Sequence, residues 1–260
     1  MERNCRSVRC ALAPLNQDEL RLSLAPYIGY VEDPHGILSL EQVQAVAEGR
    51  CRVVLSADRA FRERIARGSA FLERLLAEDG VIYGVTTGYG DSCTVVIPPE
   101  LVGELPHHLY TYHGCGAGRF LTPEETRAVL ASRLCSLSQG MSGVSEALLT
   151  QLALLLENDI LPLIPAEGSV GASGDLTPLS YVAAVLCGER DVWHHGERRP
   201  AAAVLAELGM APLRLRPKEG LAIMNGTAVM TGLACLAWQR ADYLCRLATR
   251  LTAINVLASA

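Results

Sequence analysis

The sequence predicts a mainly α-helical fold with a small mixed α/β portion on its N-terminal side. Three observations point there. Half of the 260 residues are hydrophobic and only 5% are aromatic, while Ala and Leu, both strong helix formers, are abundant. Several apolar runs open on helix-start signatures. The strand candidates, by contrast, are few and brief.

In chain order, residues 1–38 hold scattered prolines and glycines (Pro14, Pro26, Pro34, Gly36) and read as irregular, with a strand near Tyr27–Val31. Ser39 and Gln42 form a capping-box pattern for a short helix ending near Gly49. Arg52–Leu55 is a strand candidate. Ser56 caps a long helix from Ala57 to about Glu78, with Phe61, Ile65, Phe71, Leu72, Leu75 and Leu76 on its apolar side and Gly80 ending it. Val81–Val85 reads as a strand and Thr86–Asp91 as a glycine-broken loop. Pro98–Tyr112 reads as helix, kinked or divided by Pro106.

A second glycine-rich loop, HGCGAG, covers His113–Gly118. Thr122-Pro123-Glu124-Glu125 starts a helix to about Ser138, with cap, Pro at the first helical position and reciprocal Glu. Ser145–Glu157 is apolar nearly all round, as a buried helix is. After a loop at 168–174, a helix runs to about Leu186. Gly188–Pro200 is a polar connector with a hairpin at His195-Gly196. Pro200–Leu208 is a short helix. Lys218–Met224 leads into Asn225-Gly226-Thr227, and one long helix follows to the end. Its last residues, LTAINVLASA, have no polar tail, so a chain cut inside a longer protein is expected.

The net charge of −5 and the absence of a basic block argue against nucleic acid as a partner. The nine cysteines include no C-x-x-C pair and lie in apolar segments, which reads as reduced thiols in a cytoplasmic protein. The N-terminus has no apolar stretch of signal-peptide length. Apolar windows such as Leu148–Leu156 are too short to span a bilayer, so no membrane is expected. His107-His108 and His194-His195 lack a carboxylate or cysteine at useful spacing, and no metal is expected.

The stretch that organises the rest is Gly168–Tyr181, GSVGASGDLTPLSY. So many glycines mean a tight bend or a close approach. A phosphate cradle fails for want of a Walker or Rossmann spacing. A helix start works, with Ser173 or Asp175 capping the helix over Leu176–Leu186. A further reading makes the backbone the reagent: Gly174 N attacks the Ala172 carbonyl, and loss of two waters leaves a methylidene on the former Ser173.

GSVGASGDLTPLSY resembles the prosthetic-group signature of the histidine/phenylalanine/tyrosine ammonia-lyase and aminomutase family. Tyr83-Gly84-Val85-Thr86-Thr87-Gly88-Tyr89-Gly90 and Gly220-Leu221-Ala222-Ile223-Met224-Asn225-Gly226-Thr227 are similar to two further segments of that family. The resemblance covers roughly residues 40–260. It implies an ammonia-lyase-like (fumarase/aspartase-type) helical fold. It also implies 4-methylideneimidazol-5-one (MIO) formed autocatalytically from Ala172-Ser173-Gly174, with no metal or dissociable cofactor. Residues 1–215 would be the MIO-bearing domain, and 216–260 the start of a central long-helix bundle.

The same resemblance assigns roles. Tyr83 is the base for the substrate's β-proton, and a tyrosine base needs its pKa lowered from about 10. Asn225 helps build or stabilise the MIO site, Asp175 assists cyclisation, Gly88 and its surrounding loop form a lid that positions Tyr83, and Gly90 joins Tyr112 and His113 in binding the substrate. In the ring-contacting dipeptide, histidine-selective members show Ser-His, tyrosine-selective ones His-Leu and phenylalanine-selective ones Phe-Leu. Here the pair is Tyr112-His113, which argues for a polar ring.

Non-oxidative elimination of ammonia from L-tyrosine to 4-coumarate is the first expectation. A histidine ammonia-lyase and a tyrosine 2,3-aminomutase are the alternatives. A silent partner or assembly fragment is the non-enzyme reading, with a nucleotide-binding module behind it. Family members are about twice this length and share active sites within a homotetramer. This chain is therefore expected to be a truncated piece, inactive alone.

Overall fold

The helix starts at Ser39, Asp58, Thr122 and Ser145 lie where a side chain accepts from a backbone N–H that the helix itself leaves unpaired. The computed structural model describes residues 27–28, 38–78, 80–171 and 173–259. Tyr27–Ile28 (β1) pairs in parallel with Val54–Leu55 (β2). Residues 29–31 of the strand expected near Tyr27, and the irregular stretch around it, lie outside the described residues. Between the two strands runs Leu40–Ala47 (α1), where Ser39 and Gln42 exchange the two bonds of a capping box.

The next helix, Arg59–Ala77 (α2), begins two residues later than expected. Asp58 accepts from Ala60 N at 2.7 Å and is the cap, while Ser56 only braces Asp58 N. Of its expected apolar side, Phe61 and Ile65 are buried and Phe71 is exposed. Helical geometry explains this, because six residues turn the chain about 240° and carry Phe71 off the stripe of Ile65.

Val81–Val85 is a turn rather than the expected strand. Val85 N and Thr86 N both donate to Ile82 O, and Thr86 Oγ1 accepts from Ile82 N at 2.8 Å. Gly84 takes φ +66°, which ends any extended run. Pro106 divides the following helix as anticipated, into Pro99–Val102 (α3) and Leu105–Tyr112 (α4).

Ala117–Phe120 (β3) takes up the end of the HGCGAG stretch, so the loop its glycines predict gives way to a strand from Ala117 onward. Pro123–Leu137 (α5) carries the second capping box, between Thr122 and Glu125. Glu146–Glu157 (α6) follows, then Leu161–Pro162 (β4), Pro165–Glu167 (β5) and Leu176–Leu186 (α7). Asp191–His194 (β6) and Glu197–Pro200 (β7) form the hairpin, with His195 and Gly196 both at positive φ, as a two-residue turn of the primed type requires. The chain closes with Ala201–Glu207 (α8), Glu219–Met224 (α9) and Ala228–Ser259 (α10).

The core is helix on helix. Leu130, Leu134 and Leu137 of α5, Leu148, Leu149, Leu152 and Leu155 of α6, and Leu179 and Val182 of α7 are fully buried together. The first half of α10 crosses α5 so closely that a Cβ on Gly232 would lie 2.8 Å from the Ala128 carbonyl carbon. Beyond that crossing α10 presents Tyr243, Leu244, Leu251, Ile254 and Leu257 to the outside.

Two expectations need correction. The segment Glu219–Ser259 is long and apolar enough, by length and composition, to cross a membrane, though 56% of its most apolar window is buried inside the protein. Reading by short windows missed it because the apolar residues are spread along the whole helix. Secondly, Cys51 is disulfide-bonded, so the thiols are not all reduced. Cysteine spacing cannot reveal which Cβ atoms approach one another. Cys93, Cys115, Cys187, Cys235 and Cys245 are free thiols.

Candidate active site

The glycine-rich loop is held by the Asn225-Gly226-Thr227 joint between α9 and α10. Gly174, at φ +126°, lies so near that joint that an added Cβ would stand 2.6 Å from Gly226 N and 2.9 Å from Gly226 O. Asp175 N donates to Gly226 O at 2.7 Å. Two motifs some fifty residues apart in the chain therefore meet backbone to backbone, an approach that leaves no room for a Cβ at Gly174. Ser173, next to Gly174, is exposed. Ala172 lies outside the described residues.

Asp175 does not cap the helix it precedes. Its side chain makes no bond to α7. Instead Oδ2 accepts from Val229 N and Met230 N, both at 3.0 Å, at the N-terminus of α10. Oδ1 accepts from Ser169 Oγ at 2.8 Å. The carboxylate is 4% exposed, and its burial is compensated by three donors and by the positive end of the helix dipole.

Arg133, on α5, answers it from the other side. Its guanidinium is buried, with Nη2 donating to Ala222 O and to Asn225 O, the terminal carbonyls of α9. A Cβ on Gly226 would overlap Arg133 Nη1. Burial lowers the guanidinium pKa to about 10, against which the charge of Asp175 acts. Sequence reading missed Arg133. The available signal was a charge on the buried stripe of α5, four residues after Val129 and four before Leu137.

Tyr83 sits on the turn that packs against α9. A Cβ on Gly84 would lie 2.7 Å from Leu221 Cδ2, so the Tyr-Gly pair can approach α9 only without a side chain at Gly84. Tyr83 Oη accepts from Gly90 N at 2.9 Å, and its ring meets Tyr89 edge-on with centroids 6.5 Å apart. Burial raises the pKa of Tyr89 far above the phenol range, with the nearby Tyr83 charge adding to it. Tyr83 itself is 48% exposed. The surrounding loop closes on itself through Gly88 N to Val95 O, at 3.0 Å, and Ile97 N to Thr86 O, at 2.9 Å.

Tyr112 ends α4 and His113 is its C-cap. His113 Nδ1 donates to Leu109 O at 2.9 Å, which leaves Nε2 as the acceptor of the neutral ring. Tyr112 is 81% exposed and meets the His113 ring edge-on at 5.1 Å. The residues just after this pair are fastened to the glycine-rich loop: Ala117 of β3 pairs with Glu167 of β5, immediately before Gly168. Tyr181 Oη, on α7, donates to Gly114 O at 3.3 Å. Arg190 stacks over the Tyr181 ring at 4.0 Å and fills the space a Cβ on Gly114 would need. Neither Tyr181 nor Arg190 was found by sequence reading, because both act through tertiary packing.

The structure thus joins Gly174 and Asp175 to Asn225-Gly226, the Tyr83 turn to α9, and the Tyr112-His113 end of α4 to the loop through β3, β5 and α7. Asn225 is the C-cap of α9 and its side chain faces out. Among the described residues no group of three or more His, Cys, Asp or Glu side chains could hold a metal ion.

Residues 38–260 match the family model for aromatic amino acid lyases. The chain belongs to that family. Among its relatives, a histidine ammonia-lyase of Deinococcus radiodurans is 44% identical over 221 residues, 85% of this chain and 42% of that protein. A tyrosine 2,3-aminomutase of Myxococcus fulvus is 43% identical over 205 residues, 79% of this chain and 39% of that protein. In structure the chain is similar to a tyrosine aminomutase of Streptomyces globisporus, with TM-score 0.74 and 41% identity over 78% of this chain and 38% of the other. It also resembles the histidine ammonia-lyase of Trypanosoma cruzi, with TM-score 0.73 and 32% identity over 81% and 40%. This family membership agrees with the helical fold. The chain spans about two fifths of the length of the curated relatives it matches.

Proposed function

We propose that this chain supplies the MIO-bearing part of an ammonia-lyase that releases ammonia from L-tyrosine and yields 4-coumarate. The observation that carries the reading is the backbone contact of Gly174 with Gly226 under the buried carboxylate of Asp175. The residues present fit the group. Glycine is required at 174, Ser173 is free to lose its hydroxyl, and a fixed anion flanks the loop.

In the cyclisation, Gly174 N bonds to the Ala172 carbonyl carbon. That carbonyl oxygen leaves as water with the Gly174 and Ser173 N–H protons. Ser173 then loses its Cα proton together with its hydroxyl as a second water. The resulting group supplies an electrophile for the substrate amine. Tyr83 Oη holds the β-proton, and the N–H of Gly90 aimed at that oxygen suits negative charge on it. Tyr112 and His113 meet the substrate ring and favour one that hydrogen-bonds.

A second reading, histidine as substrate, is favoured by His113, whose Nε2 is left to accept a bond. A tyrosine 2,3-aminomutase would use the same groups and return ammonia to the β-carbon. Tyr83, Ser173, Asn225 and Tyr112 all face outward, which supports a site completed by further chain in a homotetramer, with residues 1–215 bearing the loop and 216–260 entering a helix bundle.

Intact mass and product analysis test the proposal. The protein should weigh about 36 Da less than its sequence, two waters, and Ser173→Ala should restore the full mass. Full mass in the unsubstituted protein would overturn the MIO reading and leave the silent-partner reading standing. Incubated with tyrosine, histidine and phenylalanine, the assembled full-length enzyme should turn over tyrosine fastest and give 4-coumarate. A preference for phenylalanine would refute the use made of Tyr112-His113, and β-tyrosine as product would mark an aminomutase.

A further inference from the structure

The joint at Asn225-Gly226-Thr227 is bracketed by opposite charges. Arg133 donates to Ala222 O and Asn225 O, the carbonyl end of α9. Asp175 accepts from Val229 N and Met230 N, the amide end of α10. Each charge sits where the adjacent helix dipole favours it. Both side chains are nearly removed from solvent, at 3% and 4% exposure, so neither is there for solubility. Gly226, between them, touches Arg133 on one side and Gly174 on the other. An arginine without a carboxylate in direct contact, spending its donors on two main-chain carbonyls of this turn, holds main chain in place. Its fork suits that task better than a point charge.

We propose that Arg133 is a positioning residue for the self-cyclisation of Ala172-Ser173-Gly174: it pins Asn225-Gly226 so that Gly226 can seat Gly174 in its reactive conformation. Arg133 touches no reacting atom in this scheme. It acts through Gly226, and the effect on cyclisation rests on the function proposed above, whereas the pinning of the joint does not.

Two arms test it on the full chain. In the first, Arg133→Met and Arg133→Lys are expressed, and the fraction lacking two waters is followed by intact mass after synthesis. A roughly 100-fold slower appearance of the light form is expected for Arg133→Met, since about 1 Å of misplacement can cost that much. Lysine should restore part of the rate by keeping a cation at the carbonyls. Far-ultraviolet dichroism equal to the parent's separates this from unfolding. In the second arm, both substitutions are placed on a Ser173→Ala chain, which cannot form the methylidene. Hydrogen exchange at residues 226–230 should speed up at least tenfold for Arg133→Met and less for Arg133→Lys.

Full cyclisation at the parent rate in Arg133→Met would overturn the positioning role. Unchanged exchange at 226–230 would overturn the pinning itself. If the parent chain keeps its full mass, the loop's function has failed, and the exchange arm alone decides Arg133.

Discussion

Asp175 and Val229 are joined by a 3.0 Å bond from the Val229 amide to the Asp175 carboxylate, although they stand 54 positions apart in the chain. The side chain that precedes α7 closes the start of α10. Position in the sequence would give Asp175 to the nearer helix; the fold gives it to the farther one. Removing it therefore acts on the docking of the loop and on the long helix at once. Asp175→Ala should cost about 2 kcal/mol, the range for a lost cap bonded through a charge. Asp175→Asn should cost about half as much. Urea unfolding should show the midpoint falling at constant slope.

Gly174 and Gly171 separate close approach from simple backbone strain. Both have positive φ, yet a Cβ on Gly171 meets nothing within 4 Å, while one on Gly174 runs into Gly226. Gly171→Ala should cost about 1 kcal/mol. Gly174→Ala should cost about 3 kcal/mol, strain and overlap together. Thermal unfolding of the two variants side by side checks the difference.

Gly114 and Arg190 should be coupled. Gly114→Ala forces the guanidinium off the Tyr181 ring. Arg190→Ala empties the same space. The double variant should recover about 1–2 kcal/mol relative to the sum of the singles. Additive costs would show that Arg190 does not support this turn.

Tyr83→Phe should divide activity from stability. The hydroxyl is at a half-exposed position and accepts one backbone bond, so its loss should change stability by less than about 1 kcal/mol. As the base of the proposed reaction, its loss should lower turnover by roughly 100- to 10,000-fold in the assembled enzyme. Rates of unsaturated-acid release against denaturation midpoints give both numbers.

His194 is buried on β6, and burial first, then the charges of His195 and Arg199, hold its imidazole below the ordinary range. The unfolded chain therefore binds this proton before the folded one does. The stability contribution is complete above about pH 6.5 and is lost as pH falls from there toward the folded value. His194→Gln should flatten the fall in stability that this group causes as pH drops below about 6.5. A slope identical to the parent's would assign the fall to other groups.

The sequence by itself determined most of the helices, because caps and apolar periods are local. Ser39 with Gln42, and Thr122 with Glu125, form the capping boxes their spacing announces. Pro106 divides its helix, and His195-Gly196 turns its hairpin. The motifs around Tyr83, Ser173 and Asn225 pointed to one family through residue identity alone. Local reading failed where neighbours in space decide. Val81–Val85 has the composition of a strand, but Thr86 and Gly84 turn it against Leu221. Phe71 looks apolar in line, but the helix rotates it outward.

Only the tertiary structure decided which groups hold the glycine-rich loop. Asp175 serves α10 rather than α7, Arg133 reaches from α5 to the end of α9, and Gly226 meets Gly174 with no room for a side chain between them. These are long-range contacts between backbone and buried charge, and no period or spacing in the chain encodes which surface a buried charge will face.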